Sequence, residues 1–192
     1  MKMIEGAEIS SLEKEIFSLM NAVYEHSKGE YPALEWVKDK PIPGDTEWEK
    51  RFEEIYRPFL RYRLKEDVDI LLTIGEGEIA GIIGIKHTGT GSFKGYKRLF
   101  SYAGIDMPKN AAFLEMLAVH PKYRGKGYGK ALLERALGIV EERGMRAYGV
   151  SFPRLQPALS IYESIGANIT AEVHGYSWSD GEEPADYVII QF

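Results

Sequence analysis

The feature that most constrains this chain is a junction between residues 111 and 143. Ala111 to Val119 reads as a strand, and Pro121 stops it. Arg124-Gly125-Lys126-Gly127-Tyr128-Gly129 then makes a glycine-rich turn. From about Gly127 to Arg143, Leu132, Ala136, Ile139 and Val140 recur at helical spacing, and Gly144 ends the run. Arg146 to Phe152 reads as another strand. A strand that reaches the next strand through a helix is a crossover, so the chain must build a layered α/β domain.

The remaining elements follow from period and punctuation. Ser10 with Glu13 predicts a capping box for a helix over about 11–27, stopped by Gly29 and Pro32. A second helix is expected from near Thr46 to Lys65, kinked or divided at Pro58. Val68–Ile74 and Glu78–Ile85, joined by Gly75-Glu76-Gly77, predict a β-hairpin. Residues 87–110 carry glycines, basic residues and aromatics without clean period, and read as an insertion loop. Gln156–Ile165 predicts a helix closed by Gly166, Asn168–Tyr176 a strand, Asp180–Glu183 an acidic turn and Tyr187–Phe192 a last strand. The expected order is α-α-β-β-β-α-β-α-β-β around a mixed sheet. A single domain over residues 1–192 is expected, with a helical N-terminal part over 1–67.

Composition excludes several classes of function. With no cysteine there is no disulfide, no thiol nucleophile and no cysteine-bearing zinc site. His26, His87, His120 and His174 show no metal-ligand spacing with acids, so no metal is expected. A net charge of −5 suits nucleic acid poorly. The start, Met1 to Gly6, has no apolar core of signal-peptide length, and Ile79–Ile85 is too short to span a bilayer. A soluble cytoplasmic protein is expected, with no membrane partner.

Charge is concentrated where the glycines are. His120 to Arg135 carries +4 over sixteen residues, leaving −9 on the other 176. Glycines let successive amides point into one hollow, and a helix start adds unpaired N–H groups and about half a positive charge. Together these favour a small phosphorylated ligand. A Walker loop would need Gly in place of Arg124 and Ser or Thr in place of Ala131. A dinucleotide fingerprint would need Gly at Lys130.

What remains is R-x-x-G-x-G at Arg124–Gly129, straight after the strand ending L-A-V-x-P. It resembles the acetyl-CoA loop of the GNAT superfamily of N-acetyltransferases, specifically over Phe113–Leu133 and more loosely over Arg146–Ala167. The resemblance implies a mostly antiparallel sheet of six or seven strands flanked by helices. It also implies acetyl-CoA as co-substrate, held at Leu117, Ala118 and Val119 and at Arg124, Gly125, Lys126, Gly127, Tyr128, Gly129 and Lys130. A second family signature, A-x-x-x-Y-E-x-x-G, matches Ala158 to Gly166 and gives Tyr162 the place of the acid that protonates the departing thiolate. Where relatives commonly carry an Asn that bonds the cofactor, this chain has Leu155.

The implied reaction is direct attack of an amine on the acetyl thioester. Holding a lysine-like amine neutral at pH 7 costs about 4.6 kcal/mol, against about 1 kcal/mol for an α-amino group. Glu115, the only charged residue of its strand and expected on the face of Phe113, Leu117 and Val119, is the candidate base. It equally fits a structural acid, and a water relayed from another acid would serve. The Leu117 amide is a candidate donor to the thioester oxygen. The amine acceptor is not named by any motif. The resemblance places its site near Tyr31, Trp36 and Trp48 and near Phe93, Tyr96, Phe100 and Tyr102, aromatics that could equally cover a sheet edge or form a homodimer contact. Lys94, Lys97 and Arg98 extend the CoA contacts or face solvent. Two alternatives stay open: a non-catalytic acyl-CoA-binding sensor or assembly module, and an acyltransferase with another acyl donor.

Overall fold

In the computed structural model, which describes residues 2–5, 7–34, 36–65, 68–87, 93–178 and 182–192, seven strands and five α-helices are seen. The order is β1 (Lys2–Glu5), α1 (Glu13–His26), α2 (Trp48–Lys65), β2 (Val68–Gly75), β3 (Glu78–His87), α3 (Lys94–Tyr102), β4 (Ala111–Val119), α4 (Tyr128–Glu142), β5 (Arg146–Ser151), α5 (Gln156–Glu163), β6 (Asn168–Tyr176) and β7 (Ala185–Gln191). The sheet runs β1-β2-β3-β4-β5-β7-β6. β4 and β5 are parallel, from Ala111 opposite Arg146 to Leu114 opposite Gly149. β1 with β2, β5 with β7, and β6 with β7 are antiparallel. The mixed, mostly antiparallel sheet is as the sequence predicts.

The chain divides into two compact units, Met1–Gly84 with Met116–Leu132 and Ile85–Glu115 with Leu133–Phe192. In the first, α2 buries Trp48, Phe52, Tyr56 and Leu60, one residue in every four and hence one stripe. Phe52 stacks on Tyr24 of α1 at 4.3 Å and on Tyr56 at 5.1 Å. Arg57 and Arg61 fix the helix pair through Glu13, at 2.7 and 3.1 Å. The same core takes in Ile70 and Leu72 of β2, Ile79 and Ile82 of β3, and Ala118 of β4. The hairpin turn places Glu76 and Gly77 at φ 51° and 87°, the left-handed pair a two-residue turn requires.

In the second unit, Phe113 of β4 is fully buried among Phe93, Tyr96, Phe100 and Tyr148. Val173, Tyr187 and Ile189 complete that core. β6 lies at the sheet edge and is mostly exposed, with register shifts between Ile169 and Ala171 and between Val173 and Tyr176.

Four expectations are corrected. The four residues of β1 are too few to show a period, and their partner β2 defines them. The capping box does not open α1: Ala7–Leu12 forms a 3-10 helix, and Leu12 leads into α1 with no side-chain cap. Pro58 does not divide α2, whose buried stripe continues to Leu60. Residues 94–102, expected as loop, are α3; Phe93, Tyr96, Leu99 and Phe100 do fall at helical spacing, which the basic residues and glycines between them obscure. The flanking 88–92 and the first half of the acidic turn lie outside the described residues.

Truncating Phe100, buried with its edge against Phe113 and Tyr148, should cost about 3–5 kcal/mol in urea denaturation. Ile42→Ala, at a 60% exposed position, should cost less than about 0.5 kcal/mol.

Candidate functional site

The first unit holds the glycine-rich turn. After β4, the amide of His120 donates to the carbonyl of Ala80 at 2.9 Å, tying the strand end to β3. Pro121–Tyr123 makes one 3-10 turn, capped by His120, whose Nδ1 accepts from the Lys122 amide at 3.2 Å. Arg124 is extended, and Gly125 and Gly127 take φ 72° and 83°, values costly for any residue with a Cβ. The helical ladder of α4 then begins with Ala131 N–H to the Gly127 carbonyl at 3.0 Å. Gly127, Tyr128 and Gly129 precede it, so their amides are the early donors that a helix cannot use internally. Arg124, Lys126 and Lys130 are exposed around them.

A clamp from the β2–β3 turn fixes this bend. The Tyr123 ring is buried, and its hydroxyl donates to the Gly75 carbonyl at 2.6 Å, with Glu78 Oε1 at 2.9 Å. Lys122 Nζ bridges Glu76 at 2.8 Å and Glu78 at 3.1 Å. A Cβ on Gly75 would stand 2.8 Å from Tyr123 Cε1 and 2.9 Å from the Tyr128 hydroxyl, so glycine is needed for this approach. Lys122, counted in the sequence with the positive cluster, is thus spent on the hairpin, and Arg135 faces Glu142 at 3.6 Å. The sequence reading missed the clamp because its parts lie some 45 residues apart. Leu117 and Val119 are half-buried and Ala118 is buried. The Val119 carbonyl receives Arg124 Nε at 3.4 Å.

Met116, at φ 54°, interrupts the extended backbone of β4 right after Glu115. In the second unit, the Tyr96 hydroxyl donates to Glu115 Oε1 while its ring stacks on Phe113 at 3.8 Å. Tyr162 on α5 is half-buried with its ring edge-on to Phe192 at 5.2 Å, and burial pushes its phenol up to about 12. Leu155 is the residue preceding α5. Of the aromatics expected around the acceptor, Trp48, Phe93 and Phe100 are core residues instead, because helical spacing turns them inward. Trp36 stays 45% exposed on Phe59, and Tyr102 is exposed with its hydroxyl on the His174 carbonyl.

Among the described residues no cluster of His, Cys, Asp or Glu could hold a metal, and no helix is long and apolar enough to cross a membrane.

Residues 20–167 match the model of the acetyltransferase (GNAT) family. The chain belongs to that family. The GNAT resemblance also appears in individual proteins. A candidate acetyltransferase from Pyrococcus horikoshii is 28% identical, over 99% of this chain and 96% of its own, with a TM-score of 0.64. The ribosomal protein bS18-alanine N-acetyltransferase of Escherichia coli K12 is 31% identical over 90 residues, which are 46% of this chain and 61% of that protein. The match therefore spans less than two thirds of that curated relative. The fold is shared with the PaiA N-acetyltransferase of Thermoplasma acidophilum, solved with coenzyme A, at 16% identity over the full length of both chains and a TM-score of 0.61.

The clamp makes a pH prediction. The Tyr123 hydroxyl and then Lys122 hold the carboxyl of Glu78 below the usual 4.5, and Lys122 holds that of Glu76 below it. A depressed pKa contributes stability above 4.5 that is lost as pH falls through the lowered value. Melting temperature should fall in that acid window, and less steeply in Glu78→Gln.

Proposed function

We propose that this protein, acting as a single domain, transfers the acetyl group of acetyl-CoA to an amine by direct attack in a ternary complex. The observation that carries the reading is the bend at Arg124–Lys130, where two left-handed glycines lead into the early amides of α4 in a run that also carries the exposed Arg124, Lys126 and Lys130. Such a bend suits a diphosphate ester, and membership of the GNAT family supports acetyl-CoA as the ester. Coenzyme A in the Thermoplasma structure agrees with it. On this reading the pyrophosphate takes amides from Gly125 to Lys130, while Leu117, Ala118 and Val119 line the pantetheine arm. Leu155 supplies no side-chain donor.

The chemistry then falls to three groups. Glu115 takes the proton of the incoming amine, its carboxylate aimed by Tyr96. The Leu117 amide, next to the left-handed Met116, donates to the oxygen that gains charge as the amine adds. Tyr162 donates to the sulfur as the C–S bond breaks. With its phenol near 12, Tyr162 is neutral at physiological pH and so able to donate. Full transfer to a thiolate of ordinary pKa, near 8.5, would be uphill by about 5 kcal/mol. Tyr162 therefore eases departure by a hydrogen bond and does not drive it.

Acetyl-CoA at a hundred times its Kd should stabilise the fold by about 2.7 kcal/mol, seen as a raised melting temperature. A melt unmoved by millimolar acetyl-CoA would overturn the assignment. Gly75→Ala, which crowds Tyr123 and Tyr128, should blunt that rise. For catalysis, Tyr162→Phe should lower kcat about 10- to 100-fold with KM for acetyl-CoA nearly constant. Glu115→Gln should flatten the acidic limb of the pH–rate profile; a limb that stays in place would put the base elsewhere. Release of free CoA across a panel of amines and peptides separates the enzyme from a cofactor-binding sensor, which would release none.

A further inference from the structure

Helix α5 packs on a sheet face to which β7 contributes every second residue. Val188 and Ile190 are buried there with Leu159 of α5, and Tyr162, Ala167 and Phe192 pack against them. Phe192 keeps that period one residue past the end of β7, and its amide donates to the Ala147 carbonyl of β5 at 3.1 Å. Its ring leans over Gly149, the β5 residue opposite Ile190. A Cβ on Gly149 would stand 3.2 Å from Phe192 Cε2 and 4.0 Å from Ile190 Cβ. Glycine inside a strand weakens it and marks a close approach, and here the approaching group is the Phe192 ring. The ring is thus seated twice, by its own backbone and by the missing side chain at 149.

That seated ring is what Tyr162 meets. The two rings stand 5.2 Å apart at 89°, edge to face. No hydrogen bond among the described residues holds the Tyr162 hydroxyl, so packing sets where the phenol points. Burial, with no charged partner, is what pushes it up to about 12. Other buried phenols are committed: Tyr24 donates to the Pro41 carbonyl at 2.7 Å and Tyr123 to that of Gly75 at 2.6 Å. A phenol has one O–H, and once given to a carbonyl it is not available to a ligand. Tyr162 keeps its own. We propose that Phe192 is the positioning residue for Tyr162, holding the phenol so that its uncommitted O–H meets the departing sulfur. The role rests on the acetyl-transfer reading above, in which Tyr162 donates to sulfur as the C–S bond breaks. The electron pair of that bond stays on sulfur, and the phenol keeps its proton within the hydrogen bond. Without the Phe192 ring, two side-chain torsions of Tyr162 would have to be fixed for that one contact, and misplaced rotamers are unproductive.

Single and double variants test the role, with CoA release from acetyl-CoA read for the amine of the panel that reacts fastest. Phe192→Leu keeps the amide bond to Ala147 and an apolar side chain but removes the ring. It should lower kcat about 3- to 10-fold, the size of one edge-on ring contact, with KM for acetyl-CoA nearly constant. Phe192→Tyr, which restores a ring, should recover most of the rate. In a Tyr162→Phe background the loss from Phe192→Leu should vanish, since Phe192 acts through that hydroxyl alone. A purely structural Phe192 would slow both backgrounds alike. An unmoved kcat in Phe192→Leu, or an equal loss in the Tyr162→Phe background, would overturn the proposal. NMR resonances of the Tyr162 ring, assigned by their absence from Tyr162→Phe, read the contact without turnover. They should move in Phe192→Leu, and resonances that stay in place overturn it too. If no amine releases CoA, or Tyr162→Phe itself leaves kcat unmoved, the reading beneath the proposal fails and the catalytic role with it, while the resonances still decide the contact.

Discussion

A single buried hydrogen bond, from the Tyr123 phenol to the Gly75 carbonyl, sets the geometry on which the candidate cofactor bend depends. Two glycines in left-handed conformation have many alternatives open to them in a free chain. The bend keeps one shape because both ends are fixed. The Tyr123 side is clamped to the β2–β3 hairpin, and the other end enters the hydrogen-bond ladder of α4. Lys122 adds its ammonium between Glu76 and Glu78, but that pairing is exposed, so its role is orientation more than stability. A buried phenol on a backbone carbonyl is insensitive to salt, whereas the exposed Lys122 pairing is screened by it.

The second unit is organised by aromatic packing around Phe113. Tyr96 stacks on that ring, and the same side chain reaches Glu115 with its hydroxyl. An acid at the edge of an aromatic core is thereby held by a residue whose own position is set by packing. The left-handed Met116 follows at once. Strain of this kind costs on the order of 1–3 kcal/mol and is kept only where the surroundings over-determine it.

How much of this could be read from the chain alone varied with the range of the interaction. β4 and β6 begin and end at the residues expected, and α4, β5 and α5 differ only at their ends, because apolar period and glycine stops act within a few residues. The bend was legible for the same reason: Arg124 to Gly129 carry charge and backbone freedom in one short run. β1 was not, since a four-residue edge strand is defined by β2. Helix α3 was missed although its apolar spacing is present, because Gly95 and three basic residues mask it.

The sequence by itself determined the layered α/β fold class, the strand–bend–helix junction and the residue types at the candidate site. Period, punctuation and local charge are properties of neighbours along the chain. Only the tertiary structure decided that Trp48, Phe93 and Phe100 are core, that Lys122 belongs to the hairpin, and that Tyr96 holds Glu115. Each of these rests on groups brought together across many residues. Which ring or charge fills a given space is settled by packing density and hydrogen-bond satisfaction in three dimensions.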